Sequence, residues 1–169
     1  ILLATKQGKC IKFSEQEVRT LSRDTRGVRS IALEKGDHVV DMIAIKPNHN
    51  ILTITENGYG KLCDPEEYRL QVRGGKGVKA GVFNEKTGLL VNMKQVKDDE
   101  DVMMIASNGV IMRTRAKYIS KIGRSTVGVR IMKIKEDTKI VCVAIADSYA
   151  DDMDGDDIEE GMEIPQEEI

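Results

Sequence analysis

The sequence ILTITENG at residues 51–58 has two counterparts in the chain, ILLATKQG at 1–8 and VMMIASNG at 102–109. Each is a short apolar run that ends in a polar residue and a glycine, and a second short run follows. Two such runs around this kind of pair predict a β-hairpin, with a type I′ turn whose two central residues both have positive φ. The closing glycines are 50 and then 51 residues apart. A fixed period of this size is typical of propellers and solenoids.

A second set of matching segments follows the hairpins at a constant distance. The segments are RDTRGVR at 23–29, RGGKGVK at 73–79 and RSTVGVR at 124–130. In every copy their glycine lies nineteen residues after the glycine of the hairpin. A polar stretch that begins soon after each hairpin predicts one helical turn. The spacing therefore indicates three copies of one structural unit.

Two further strands are predicted beyond the second glycine of each copy. They cover 28–33 and 39–45, then 78–83 and 89–96, then 129–134 and 140–146. With its hairpin, each copy has about four strands, which is the content of one propeller blade. A single blade cannot bury both faces, so neighbouring blades must stack. The sequence therefore predicts an all-β, propeller-like fold over residues 1–146, with repeats at 1–50, 51–101 and 102–146.

The charge of the chain is divided between two segments. Residues 147–169 contain eleven of the 28 acidic residues and no Lys or Arg. Residues 1–146 therefore hold all 26 basic residues against seventeen acidic ones, an excess of nine positive charges. A basic body predicts a polyanionic partner. Residues 147–169 lack hydrophobic periodicity and are predicted to be a disordered acidic tail.

Several other classes of protein find no support in the sequence. No run of 18 apolar residues and no signal-peptide pattern is present, so neither a membrane span nor secretion is expected. Cys10, Cys63 and Cys142 are odd in number and widely spaced. This spacing predicts small buried thiols in a reducing cytoplasm, rather than disulfides or a zinc site.

No catalytic motif is recognised either. The segment GGKG at 74–77 is not a Walker A loop, because its lysine is followed by glycine instead of Ser or Thr. The two histidines have no catalytic partner at a meaningful spacing, so surface or turn positions are expected. The tyrosines inside the repeats are predicted to pack against the aliphatic core; they are Tyr59, Tyr68 and Tyr118.

The glycine-bearing segments carry the candidate binding residues. In the second copy, Gly74, Gly75 and Gly77 permit a sharp turn with backbone N–H groups free to form an anion-binding nest. The point charges beside these glycines, and their equivalents in the other copies and in the hairpins, are Arg73, Lys76, Lys79, Arg23, Arg26, Arg29, Arg124, Arg130, Lys12 and Arg113. Cations spaced along a curved surface can bind phosphates without reading base sequence. The alternative is that the glycines only satisfy turns and that the arginines are solvated or paired with carboxylates.

The heptapeptide QVRGGKG resembles the glycine-rich box in the carboxy-terminal domain of the DNA gyrase A protein, whose pattern is QRRGGKG. Six of the seven positions agree, and the box here comprises Gln71, Val72, Arg73, Gly74, Gly75, Lys76 and Gly77, with Val72 as the departure. The similarity includes TITENGYGK at 53–61 and extends over residues 1–146. The resemblance implies a partial β-pinwheel. Double-stranded DNA would bend around its basic rim with positive handedness, which supports negative supercoiling by the parent enzyme.

In that family the domain has six blades, and the essential box lies in the first. By resemblance the three copies correspond to blades four, five and six of a longer chain, so the box here is a secondary one. The resemblance also implies no catalytic residue, metal or cofactor in this fragment, because ATP and Mg serve other parts of an ATP-hydrolysing type II topoisomerase. The implied setting is an assembly of two A and two B subunits at the bacterial nucleoid, in the cytoplasm and without a membrane.

Alternative hypotheses remain open at the level of the sequence. The sister enzyme, topoisomerase IV, has an equivalent module that delivers DNA segments instead of wrapping them. A propeller-type scaffold could use the same basic surface to bind an acidic protein. The acidic tail is either a competitor of DNA for that surface or a solubilising end. The raw faces of the outer blades could also drive self-association.

Overall fold

Residues 1–148, which the computed structural model describes, form eleven β-strands in three antiparallel sheets. The predicted all-β fold with blades of about four strands is confirmed. The strands are β1 Leu2–Thr5, β2 Lys9–Lys12, β3 Val39–Ile43, β4 Asn50–Thr55, β5 Tyr59–Cys63, β6 Val78–Lys79, β7 Leu90–Val96, β8 Asp101–Ala106, β9 Ile111–Arg115, β10 Val129–Arg130 and β11 Ile140–Ala146. One 3₁₀ turn follows each hairpin, at Glu15–Glu17, Pro65–Glu67 and Ala116–Tyr118.

The predicted acidic tail, apart from Asp147 and Ser148, lies outside the described residues. Within residues 1–148, no helix is long and apolar enough to cross a membrane.

The blades exchange strands with one another. Sheet A has the order β3-β1-β2-β6, sheet B has β10-β5-β4-β7 and, within residues 1–148, sheet C has β11-β8-β9. The fourth strand of sheets A and B comes from the next copy, since Val78 pairs with Cys10 and Val129 pairs with Gly60. The prediction that one copy supplies a whole blade is therefore wrong, because the segment after the second glycine completes the hydrogen-bond ladder of the preceding sheet. Residues 28–33, the equivalent segment of the first copy, form no strand among the described residues.

Each hairpin closes through a three-residue loop instead of a type I′ turn. The closing glycines Gly8, Gly58 and Gly109 have φ of 84°, 78° and 84°, whereas the residues before them are not left-handed. The amide of Gly8 donates to the carbonyl of Thr5 over 2.9 Å, which is the geometry of a type I turn followed by a left-handed glycine. The type I′ prediction is therefore wrong. A Cβ at Gly58 would also lie 2.2 Å from the carbonyl oxygen of Met132 in the next copy.

Two aliphatic cores lie between the sheets. One, between sheets A and B, includes Leu2, Ile51, Leu90 and Met93, and the other, between sheets B and C, includes Leu52, Ile54, Met104 and Ile140. Strand β7 packs against both β3 and β11, so these edge strands lie side by side. We call the edge that carries β6 and β10 the outer edge.

Two predictions about buried side chains are wrong at one position each. Cys10 and Cys63 are buried, but the Cys142 thiol is exposed on β11. Tyr59 and Tyr68 are buried, but Tyr118 is 72% exposed. The repeat explains the difference, because Ile119 occupies the inward position that Tyr68 has in the second copy, and Tyr118 takes the outward position beside it.

Candidate nucleic-acid interface

The box at 71–77 crosses from the second copy to the outer edge of sheet A. Gly74 and Gly77 have φ of 83° and 70°, a region that residues with a Cβ rarely adopt. A Cβ at Gly77 would lie 2.3 Å from the carbonyl oxygen of Cys10. The glycines therefore let the chain approach the backbone of β2 closely, and β6 begins directly after them.

Three amides of the box are already used within the protein, and that of Gln71 donates to the carbonyl of Lys12 over 2.8 Å. The amide of Arg73 donates to the Glu17 carboxylate over 2.8 Å, and the amide of Gly74 donates to the carbonyl of Ser30 over 2.8 Å. The nest of free N–H groups was predicted at Gly74, Gly75 and Gly77, and it is therefore wrong at Gly74. The hydrogen bonds of these amides instead fasten the box to the first copy.

Arg73 ties the box to the first copy through its side chain as well. Its Nε donates to the carbonyl of Glu17 over 3.3 Å, and its terminal nitrogen donates to the carbonyl of Arg29. Arg124 makes the same contacts one copy later, with the carboxylate and carbonyl of Glu67 and the carbonyl of Lys79. Both arginines therefore join consecutive copies. Their contact with DNA stays a prediction that the geometry does not favour.

Five of the predicted cations remain available to an outside ligand. Within residues 1–148 their side chains are exposed and take part in no ion pair or hydrogen bond; they are Arg23, Arg26, Arg29, Lys76 and Lys79. Lys79 lies in β6 on the outer edge, three residues after Lys76 in the box. Arg130 has the equivalent position in β10 and is oriented by Tyr59, whose hydroxyl accepts a hydrogen bond from it over 2.9 Å.

The two predicted cations in the hairpins are compensated by neighbouring groups. Lys12 donates to the carbonyl of Pro65 over 3.1 Å and lies 3.5 Å from the Glu66 carboxylate. Arg113 contacts the buried carboxylate of Asp101 over 2.6 Å. These contacts stabilise the fold, so a role of either residue in DNA binding stays a prediction. Val72, where the box of the family has arginine, is 79% exposed and offers no charge.

Lys61 is a structural residue that the sequence analysis missed. Its side chain is only 3% exposed, and its ammonium donates to the carbonyls of Gly123 over 3.2 Å, Thr126 over 2.8 Å and Arg124. Burial lowers the pKa of this amine. The signal was present, because the same position in the other copies is apolar, as Ile11 and Met112. Lys61 therefore fixes the loop that precedes β10.

Glu56 was also missed, and it joins all three copies. Its carboxylate lies 2.6 Å from Lys6 of the first copy and 3.0 Å from Lys139 of the third, and it accepts the amide of Leu89 over 3.2 Å. Burial on its own raises the pKa of this group, but the hydrogen bonds from Lys6, Lys139 and Leu89 outweigh it and lower the pKa to about 2. Glu56 is therefore ionised under all ordinary conditions.

The remaining cations are arranged by the exchange of strands. Each donated strand brings one cation, Lys79 or Arg130, to the outer edge of the preceding sheet. Lys76 adds charge in the loop before β6, and Arg23 and Arg26 lie in the equivalent loop of the first copy, which precedes no strand among the described residues. Phosphate groups of a duplex can be neutralised at such repeated positions without any contact to base edges.

A sequence model of the family described as "DNA gyrase C-terminal domain, beta-propeller" matches residues 1–46, 49–97 and 100–146. Among curated proteins, the DNA gyrase A protein of Escherichia coli K12 is 37% identical over 169 residues, which are 100% of this chain and 19% of that protein. The DNA gyrase A protein of Staphylococcus epidermidis is 40% identical over 146 residues, which are 85% of this chain and 16% of that protein. The chain thus spans about one fifth of the length of these relatives.

Two solved structures are similar to the three sheets. A DNA gyrase A C-terminal domain superposes with a TM-score of 0.79 at 26% identity, covering 86% of this chain and 50% of that one. The C-terminal domain of DNA topoisomerase IV superposes with a TM-score of 0.81, covering 87% of this chain and 46% of that one. Its identity of 19% means that the second similarity bears on the fold alone.

Proposed function

This chain belongs to the family of DNA gyrase C-terminal domains, and on that ground we propose that its outer edge binds duplex DNA without sequence preference and bends it. One observation carries the proposal. The cations Arg23, Arg26, Arg29, Lys76 and Lys79 are exposed and unpaired within residues 1–148. The donated strands place Lys79 and Arg130 at equivalent positions of sheets A and B. Contacts of this kind follow the phosphate backbone and ignore the bases.

Electrostatic attraction is large enough for the bending that this function needs. Smooth bending of 20–30 base pairs by 40–90° costs about 1–6 kcal/mol. Each neutralised phosphate releases condensed counterions, and this release supplies most of the affinity of non-specific binding. Contacts on successive blades can therefore offset the elastic energy.

The wider setting belongs to the same proposal. The chain works as one part of DNA gyrase, an ATP-hydrolysing type II topoisomerase that holds two A and two B subunits and introduces negative supercoils at the nucleoid. Its own contribution is to hold DNA, so it uses no cofactor and carries no catalytic residue. ATP and Mg act in other parts of the parent enzyme.

The proposed function is tested by plasmid topology together with salt dependence. Relaxed nicked plasmid is sealed with the protein bound, and the linking number is then measured. We expect a shift of positive sign, and an affinity that falls with a log–log slope against salt of about −0.9 for each phosphate contacted. A slope near zero, or sealed plasmid identical to a control without protein, contradicts the proposal.

A second candidate function is delivery of DNA segments, as in topoisomerase IV. The C-terminal domain of that enzyme has the same fold, with a TM-score of 0.81, so the fold alone does not separate the two functions. The same assay separates the two functions, because a delivery module binds DNA with a normal salt slope but leaves the linking number unchanged. A protein scaffold would instead bind an acidic partner protein, and short DNA duplexes would displace that partner only weakly.

A further inference from the structure

The register of the donated strands brings two basic side chains face to face in sheet A. Lys79 on β6 lies directly opposite Lys9 on β2, and in sheet B Arg130 lies opposite Tyr59. Side chains at directly opposite positions of an antiparallel pair point to the same face, and like charges there destabilise the sheet. The pair of lysines therefore carries an electrostatic cost that the fold itself does not require.

Compensation of these two lysines within the protein is weak. Among the described residues the acidic contact of the pair is Glu34, whose carboxylate lies 3.7 Å from Lys9 and is 64% exposed. Lys79 has no ion pair within residues 1–148. An exposed ion pair at this distance contributes little. An anion from outside could lie between the two ammonium groups and compensate both.

A concave pocket lies beside this pair and recurs at the equivalent place of the next blade. The first joint pocket, of about 170 Å³, is lined by Gln7, Lys9, Lys79 and Val82. The second joint pocket, of about 470 Å³, is lined at the matching positions by Asn57, Tyr59, Arg130 and Lys133. Both pockets lie at the outer edge, where one copy donates its strand to the sheet of another.

The second joint pocket holds its cations differently. The Tyr59 ring has Arg130 at 5.3 Å and Lys86 at 5.6 Å from its centroid, distances that allow cation–π attraction. Its hydroxyl also accepts a hydrogen bond from Arg130, so the guanidinium is oriented before any ligand arrives. Three carboxylates line the same pocket, those of Glu85, Glu136 and Asp137. They reduce its positive charge, so this pocket should hold an anion more weakly than the first.

We infer that each joint pocket is a binding site for one phosphodiester group of duplex DNA, with Lys9 and Lys79 as the ligands at the first joint and Arg130 and Lys133 at the second. The inference rests on the proposed DNA binding and adds residues outside the glycine-bearing loops. It also gives the contacts a period of one blade, because each donated strand creates one pocket.

The test uses Lys9→Gln and Lys79→Gln, with Lys46→Gln as the matched control, since Lys46 is exposed and has no side-chain partner among the described residues. Duplex affinity is measured over a range of salt, and the thermal midpoint is measured without DNA. Lys9→Gln and Lys79→Gln should each reduce the steepness of the log–log salt slope by about 0.9, the amount for one phosphate. The control should leave the slope unchanged, and Lys133→Gln should reduce it less than Lys79→Gln does.

The thermal midpoint separates a binding role from a structural one. Removing one of two opposed lysines relieves repulsion, so Lys79→Gln should keep or raise the midpoint of the free protein while it weakens DNA binding. Inorganic phosphate should raise the midpoint of the unmodified chain more than that of Lys79→Gln. A fall in both stability and affinity, or no difference between the variants in phosphate, overturns the inference.

The outcome also distinguishes this inference from the proposed function. If the unmodified chain has a normal salt slope and Lys9→Gln and Lys79→Gln both retain it in full, the joint pockets are not phosphate sites, whereas the proposed DNA binding stands. If the affinity of the unmodified chain does not depend on salt, both the proposed function and this inference are contradicted.

Discussion

Glu56 shows how much of this fold depends on single side chains at the joints. One carboxylate contacts Lys6, Lys139 and the amide of Leu89, so it joins elements from all three copies. It is 13% exposed in its side chain, and its ion pairs are therefore less screened than those on the open surface.

Replacement of Glu56 by Gln should change how stability depends on pH. The pKa of Glu56 lies at about 2 in the folded chain, below the ordinary value of 4.5. A group whose pKa is lowered by folding stabilises the protein above its ordinary pKa, and this stabilisation is lost as pH falls from about 4.5 to 2. We expect Glu56→Gln to lower stability at neutral pH by about 1–2 kcal/mol and to flatten the curve in that window.

The measurement is the free energy of unfolding in urea at several pH values. Glu136→Gln is the control, because Glu136 is exposed and has no partner within residues 1–148. Equal pH profiles for the two variants would show that the contacts of Glu56 contribute nothing.

At the scale of elements, the strand β6 depends on the glycine that precedes it. Gly77 has φ of 70°, and a Cβ there would lie 2.3 Å from the carbonyl oxygen of Cys10. Gly27 has the same position in the first copy, but no atom lies within 4 Å of its ideal Cβ. The two glycines are equivalent in sequence and differ in their surroundings.

Gly77→Ala should therefore destabilise the chain far more than Gly27→Ala. Left-handed backbone costs an alanine about 1–2 kcal/mol, and the contact with Cys10 adds to it, so we expect a loss of at least about 2 kcal/mol. Gly27→Ala should change stability by less than about 0.5 kcal/mol, as at an ordinary surface site. Thermal or urea unfolding measures both, and similar losses would argue against the close approach of β6 to β2.

Strands and turns could be predicted from the sequence where they depend on residues of a single copy. The hairpins, the 3₁₀ turns and the span of β11 at Ile140–Ala146 follow from apolar runs and turn residues within one copy. The exchange of strands was not predictable from pattern, because Val78 carries the same local sequence whether it pairs with its own copy or with Cys10 of the preceding one.

The same reason explains which parts of the candidate site were missed. Lys139 lies 83 residues from Glu56, and Gly123 lies 62 residues from Lys61. The repeat predicted the exposed cations at Lys76 and Lys79, since charge at a loop or edge needs no partner. It did not predict the contacts of Arg73 with Glu17 and Arg29, because these partners belong to another copy.

At the scale of the whole molecule, the body and the tail have opposite net charge. The segment 1–146 has an excess of nine positive charges, whereas 147–169 holds eleven acidic residues and no basic one. A tethered polyanion of this kind is present at high effective concentration near the body. It can therefore compete with DNA wherever the body attracts phosphate.

Truncation after Ala146 should tighten DNA binding at low salt. The expected gain is roughly tenfold at 50 mM salt, and it should vanish at about 500 mM because screening removes the attraction of the tail for the body. Duplex affinity of the full and truncated chains, measured at both salt concentrations, tests this. Unchanged affinity at low salt would leave the tail as a solubilising end.

The donation of β6 to sheet A also governs the order in which the sheets can fold during synthesis on the ribosome. Cys10 and Val78, which pair across that edge, are 68 residues apart. At a synthesis rate of about 5–20 residues per second, strand β2 waits roughly 3–14 seconds for its last neighbour. During that interval its open edge can pair with another nascent chain. Slow translation through the second copy should therefore increase aggregation of newly made protein, although the finished fold is unchanged.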